Sequence, residues 1–220
     1  MNLAQIQFLS VATKVVTRGL GAIQALIIIR VLSSTEYGIV GLVMAIGGVI
    51  GVSQHLGIVD GAIREIAVRK KKDEIGKVFW VSHIARQAVT LPLSLALLAL
   101  ASFIAVRIYH RPEIVFYIQL FAGVLILQGL QDVLGATLTG MKKFTSLYII
   151  QIITAGVNIA VFGYLTWRYH VTGFFWAIII TTLVMVVLLA AIIRKELSGH
   201  LVLPTWKDTK LYGKNLLHVG

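Results

Sequence analysis

Long apolar runs alternate with short polar connectors along this chain. A helix needs roughly 20 apolar residues to cross ~30 Å of hydrocarbon. The pattern predicts six such helices, at 9–29, 38–58, 79–105, 114–138, 144–167 and 172–193. Because the connectors are short, consecutive helices are expected to pack as antiparallel neighbours. The character changes after Ile193: residues 194–220 are polar and basic, with Gly199 and Pro204 as breakers. That stretch reads as an interfacial segment, with Leu211, Asn215 and His218 on one side of a helix and Trp206, Leu216 and Leu217 available to the membrane. The expected organisation is an all-α polytopic membrane protein. Its parts are a six-helix transmembrane lobe over 1–197 and a cytoplasmic interfacial segment over 198–220.

Composition agrees with this pattern. The chain has 220 residues, 58% hydrophobic and 13% charged, with a mean hydropathy of +0.89. A soluble domain carries about 25% charged residues, and one core of this size could not hide so much apolar surface. The net charge is +11. The cations sit in short loops between apolar runs, so topology accounts for them better than nucleic-acid binding does. With the amino terminus inside the cell, the inner segments hold Arg64, Arg69, Lys70, Lys71, Lys72, Lys77, Lys142, Lys143, Arg194, Lys195, Lys207, Lys210 and Lys214; the outer ones hold Arg30, Arg107, Arg111 and Arg168. This bias places the amino terminus in the cytoplasm. Trp80, Tyr109, Trp167, Tyr169 and Trp206 lie near span ends, where interfacial aromatics belong. No cysteine is present. The first apolar run does not read as a cleavable signal peptide, because Lys14 and Arg18 interrupt it.

Several polar residues fall inside the spans. A charge at the bilayer centre costs about 3 kcal/mol on insertion scales, so such side chains turn toward protein or water. Lys14 and Arg18 are four residues apart and share a helix face with Gln7, Gly21 and Ala25. The third span adds His83, Arg86, Thr90 and Ser94 on one side, the fourth Gln128, Gln131 and Asp132, and the fifth Gln151, Thr154 and Asn158. The intramembrane charges Lys14, Arg18, Arg86 and Asp132 all fall in the cytoplasmic half. If Asp132 neutralises one cation, a net positive cavity remains, suited to a lipid pyrophosphate. Snorkelling of Lys14, or interhelical hydrogen bonds with one buried ion pair, are the plainer readings. Gly38, Gly41, Gly47, Gly48, Gly51 and Gly57 enrich the second span; Gly47 and Gly51 permit close packing, or a surface that slides. Pro92 should bend the third span. Asp60 and Arg64 are spaced to pair across a helical turn. Lys70, Lys71 and Lys72 read as a topology signal attractive to anionic headgroups.

The scattered histidines, His55 and His218 among them, show no metal-ligand spacing. No phosphate-binding loop or nucleophile motif is present. No cofactor, metal or enzymatic activity is therefore expected.

Three stretches carry a family resemblance: Arg30-Val-Leu-Ser-Ser-Thr-Glu-Tyr-Gly38, Gly57-Ile-Val-Asp-Gly-Ala-Ile-Arg-Glu-Ile-Ala67, and Gly135-Ala-Thr-Leu-Thr-Gly-Met-Lys-Lys-Phe144. In order and spacing they resemble the polysaccharide flippases of the multidrug/oligosaccharidyl-lipid/polysaccharide exporter superfamily, over nearly the whole chain. The resemblance implies one lobe of a two-lobe, twelve- to fourteen-helix fold. It also implies alternating access that moves an undecaprenyl-pyrophosphate-linked oligosaccharide across the cytoplasmic membrane. The family's inward-facing basic residues would correspond to Lys14, Arg18 and Arg86, within a candidate cavity set that includes Asp132, Gln128 and Asn158. A second lobe or a second copy would complete the cavity. A drug/cation antiporter or lipid II flippase of the same superfamily is the nearest alternative, with Asp132 as the acidic coupling site. A non-transporting scaffold of a polysaccharide assembly complex is the alternative from another class, although a scaffold has no need of buried Lys14, Arg18 and Arg86.

Overall fold

The computed structural model describes residues 3–53 and 57–217; His55 and His218, and the side chains of Asn215 and Leu217, lie outside that description. Every regular element among the described residues is helical. In chain order these are α1 (Leu3–Val31), α2 (Ser34–Ser53), α3 (Ile58–Val68), α4 (Lys72–Phe103), α5 (Val115–Gly140), α6 (Phe144–Glu196) and α7 (Trp206–Leu217). A π-turn, Ile104–Ile108, ends α4, and a short 3-10 turn, Pro112–Ile114, leads into α5.

The 53 residues of α6 are two limbs, broken at His170, where φ is 52° and ψ is −129°. The limbs fold back on each other. Leu147 and Ile150 of the first share a core with Leu189 and Ile193 of the second, and the Phe162 and Phe174 rings stand 5.3 Å apart. Each limb, at ~1.5 Å per residue, is long enough to cross a bilayer. With α1, α2, α4 and α5, the bundle has six long apolar helices among the described residues. The chain is a multi-pass, all-α membrane protein.

Two ends of the bundle differ. At the His170 end, Ile28, Val43, Leu97, Ile118, Phe162 and Phe175 close an apolar core. At the other end, Ala62 and Ile66 of α3 and Tyr212 and Leu216 of α7 join Val78, Leu138 and Ile193. Capping boxes start two helices. Ser33 and Glu36 exchange bonds at α2, with the Ser33 N–H and hydroxyl both donating to the Glu36 carboxylate at 2.9 Å. Thr205 and Asp208 do the same at α7, at 2.9 and 2.8 Å.

Several expectations need correction. α1 and α2, joined by the shortest of turns, do not pack together: α1 lies on α6, and α2 on α5 and α6. A short connector fixes the ends of two helices but not their sides. In α2 only Gly47 is a close contact, beneath the Phe121 ring; Gly38, Gly41, Gly48 and Gly51 face open space. The second span ends near Ser53, and α3 is a separate helix. Asp60 and Arg64 are both exposed and make no ion pair among the described residues; the helical-turn pair is Glu65 with Arg69, at 2.6 Å. Leu216 does not face the membrane. It is fully buried against α3, where a side chain at Gly61 would meet the Leu216 carbonyl oxygen at 2.7 Å.

The docking of α7 is electrostatic as well as apolar. Lys77 of α4 lies 3.0 Å from Asp208, and the Arg69 guanidinium stands over the Tyr212 ring at 5.3 Å. Glu65 raises the Arg69 pKa further above its usual range. The Thr205 N–H and hydroxyl, with Lys77, lower the Asp208 pKa from 3.8 to about 2. A carboxylate with a depressed folded-state pKa stabilises the docked form above its unfolded pKa, and that contribution disappears as pH falls through the folded one. Amide exchange over 206–217 should therefore stay slow down to about pH 4 and accelerate between about pH 4 and pH 2. Asp208→Asn should exchange faster near neutral pH and lose the acid step. An unchanged acid step in that variant would show that another group controls docking.

Candidate functional site

The polar face of α4 and the acid of α5 meet inside the bundle. Arg86 Nη2 donates to Asp132 Oδ2 at 2.6 Å. Arg86 is 3% exposed and Asp132 33%. Along the same seam Ser94 Oγ donates to the Ala122 carbonyl, Thr90 packs on Gly129, and Gln87 reaches the Ile126 carbonyl at 3.5 Å. This α4–α5 interface uses polar side chains as interhelical fasteners. Arg86 accordingly sits inside it rather than in an open cavity. His83 is half-buried and stacks on Phe79 instead of joining the seam.

The exposed side of Asp132 faces a small pocket, about 260 Å³, between α3, α5 and α6. Gln131, Thr139 and Gln151 line it with Val59 and Met185. Gln128, one turn before Asp132, is half-buried. Asn158 is half-buried too, and its carbonyl oxygen has no hydrogen-bond partner. Of the six candidate residues, only Arg86 and Asp132 are brought into contact.

Lys14 and Arg18 stand apart from that pair. Both are exposed. α1 turns Thr13, Ile28 and Leu32 into the bundle and displays Phe8, Val11, Val15 and Leu26 on its outer face. The Lys14–Arg18 stripe runs between these two faces. Ala25 fixes its direction: with Ile28 it lines a gap of about 260 Å³ whose other walls are Tyr37, Val40, Gly41 and Met44 of α2 and Phe174 of α6. Arg18 and Lys14 precede Ala25 by about two and three helical turns, so they occupy the same face within about 20°. They lie about 10 and 16 Å further from the His170 end. The face of α1 that lines the gap at Ala25 therefore carries Arg18 and Lys14 further along the helix.

Sequence reasoning missed three features. The Gln131–Thr139–Gln151 pocket forms across three helices and has no local signal. The capping boxes were legible, as Ser33-x-x-Glu36 and Thr205-x-x-Asp208. The Glu36–His170 contact, 3.2 Å across the His170 end, required the fold.

These features define a polytopic helical membrane protein with a polar seam in its core and a cationic helix flank beside an open gap. The chain belongs to the family described as "Polysaccharide biosynthesis protein", whose family model matches residues 27–219. Its role is therefore membrane-associated and lies in polysaccharide synthesis or export. Arg86, Gln128, Asp132 and Asn158 fall within the matched stretch, and Lys14 and Arg18 precede it. No curated protein and no solved structure matches the chain.

Proposed function

We propose that the chain is a transporter lobe, not an enzyme, that passes a lipid-linked oligosaccharide of the undecaprenyl-pyrophosphate type across the cytoplasmic membrane by alternating access. The observation that carries this reading is the placement of Lys14 and Arg18. Two cations at intermediate depth, exposed on the flank that faces the α1–α2 gap, are costly against lipid. They become favourable when that gap is wet and receives a phosphate, which Arg binds bidentately and Lys as a point charge. The amino terminus is cytoplasmic in this reading, so the headgroup enters from the inner leaflet. A second lobe or a second copy closes the α1–α2 side. Asp132 supports the cation-antiporter alternative less well, because Arg86 already neutralises it.

The test is Lys14→Gln with Arg18→Gln in cells that depend on this protein for surface polysaccharide. Loss of charge-assisted bonds to the pyrophosphate should cut export by at least about tenfold at unchanged protein level, while the charge-preserving Lys14→Arg keeps most of it. Export at the parental rate in the neutral double variant, with normal membrane abundance, would overturn the reading.

A further inference from the structure

The end of the bundle that carries α3 and α7 holds a cleft of about 610 Å³ that the transport reading does not use. Three chain segments far apart in sequence build it: the end of α3 with the Lys70–Lys72 run, the turn between α5 and α6, and the last residue of α6. The sequence reads Lys70–Lys72 as a topology signal attractive to anionic headgroups, with no partner segment. Folding brings it beside Lys142 and Lys143, so Arg69, Lys70, Lys72, Lys142 and Lys143 line one concavity.

The cations fall into two groups. Three are committed to the frame. Lys143 Nζ is 2.8 Å from Glu196 Oε1, and Lys72 Nζ donates to the Glu196 backbone carbonyl at 2.8 Å. Arg69 contacts Glu65 at 2.6 Å and Glu74 at 3.9 Å. Lys70 and Lys142 are exposed and have no carboxylate partner among the described residues. Five cations against the three carboxylates that touch them leave a surplus of two positive charges. Lys142 is held at its place in the turn by a left-handed backbone, φ 59°. α4 and α6 both begin beside this cleft with no side-chain cap on their first amides.

The rest of the lining is apolar. Ile66 and Ile75 form the floor, and Met141 and Val68 the lip. Val68 is 70% exposed. The ends of α3, α5 and α6 and the starts of α4 and α6 converge here, so the cleft sits where spanning helices leave the hydrocarbon. A free phosphate has no use for an apolar lip. A phospholipid needs both parts, cations for its headgroup and an apolar edge for its acyl chain.

We propose that this cleft binds the phosphate headgroup of an anionic glycerophospholipid of the surrounding leaflet, through Lys70 and Lys142, with an acyl chain along Val68 and Met141. The site is separate from Lys14 and Arg18 and does not depend on transport. The lipid then clamps the α3–α4 and α5–α6 connections to each other.

The test is native mass spectrometry of the whole chain released from mixed micelles that contain equal phosphatidylglycerol and phosphatidylcholine. The parent should retain phosphatidylglycerol preferentially. Lys70→Gln with Lys142→Gln should weaken that retention by about 30-fold, the change two interfacial lysines supply. Lys70→Arg with Lys142→Arg should keep it. Lys207→Gln with Lys210→Gln, which removes the same charge from the exposed face of α7, should leave it unchanged. Equal loss in the α7 pair, absence of headgroup preference in the parent, or displacement of the lipid by millimolar inorganic phosphate would each overturn the proposal; the last would mark a free-phosphate site. Failure of the Lys14/Arg18 export test leaves this result untouched, and the converse also holds.

Discussion

Asp132→Ala is expected to lower the stability of the helix bundle by about 3–5 kcal/mol, the largest effect of any single polar substitution here. The reason is asymmetric burial. Arg86 is 3% exposed and Asp132 33%. Removing the acid takes away the carboxylate that the buried Arg86 guanidinium contacts at 2.6 Å inside the α4–α5 seam. Removing the base, as in Arg86→Met, leaves a carboxylate that already looks into the Gln131–Gln151 pocket and can be hydrated. That change should cost less, about 1–2 kcal/mol. The double replacement Arg86→Met with Asp132→Leu should recover most of the loss, because an apolar pair of similar volume often equals or exceeds a buried ion pair. Unfolding by denaturing detergent in mixed micelles reads all three. Equal losses for the two single variants would show that burial of the arginine does not govern the seam.

Gly173→Ala should be nearly as damaging, at about 3 kcal/mol. Gly173 follows the break at His170, where the second limb of α6 begins. A Cβ there would collide with the carbonyl of Leu165 and lie 3.1 Å from the Thr166 nitrogen. Both are backbone atoms of the facing limb, so no side chain can rotate away. The limbs must separate, and the Phe162–Phe174 contact in the core separates with them. Gly123→Ala is the matched control. Gly123 lies inside α5 with nothing within 4 Å of the new methyl, and the change should be neutral or stabilising by about 0.5–1 kcal/mol. If both variants melt together, close approach at the hairpin is not what fixes the two limbs.

The two predictions concern the bundle's frame, while the export and lipid tests concern its surfaces. This division follows from where the charges are. Arg86 and Asp132 neutralise each other across a helix interface and fasten it. Lys14, Arg18, Lys70 and Lys142 have no such carboxylate partner among the described residues and are exposed, the first two on α1 and the others at the α3–α7 end.

The order of apolar runs was enough to determine that the chain is an all-helical, multi-pass membrane protein, because the length of hydrocarbon to be crossed and the need to satisfy every backbone group leave a run of twenty apolar residues little alternative. It also marked Lys14, Arg18, Arg86 and Asp132 as charges within apolar runs. The tertiary structure alone decided which of these charges meet. Arg86 and Asp132 are 46 positions apart, and only the packing of α4 on α5 brings them to 2.6 Å. It alone separated α1 from α2, folded α6 back at His170, turned Leu216 inward, and gathered Lys70 beside Lys142. Helical periodicity reports which side of one helix a residue occupies; what that side faces depends on the lateral choice of neighbours, which no short connector specifies.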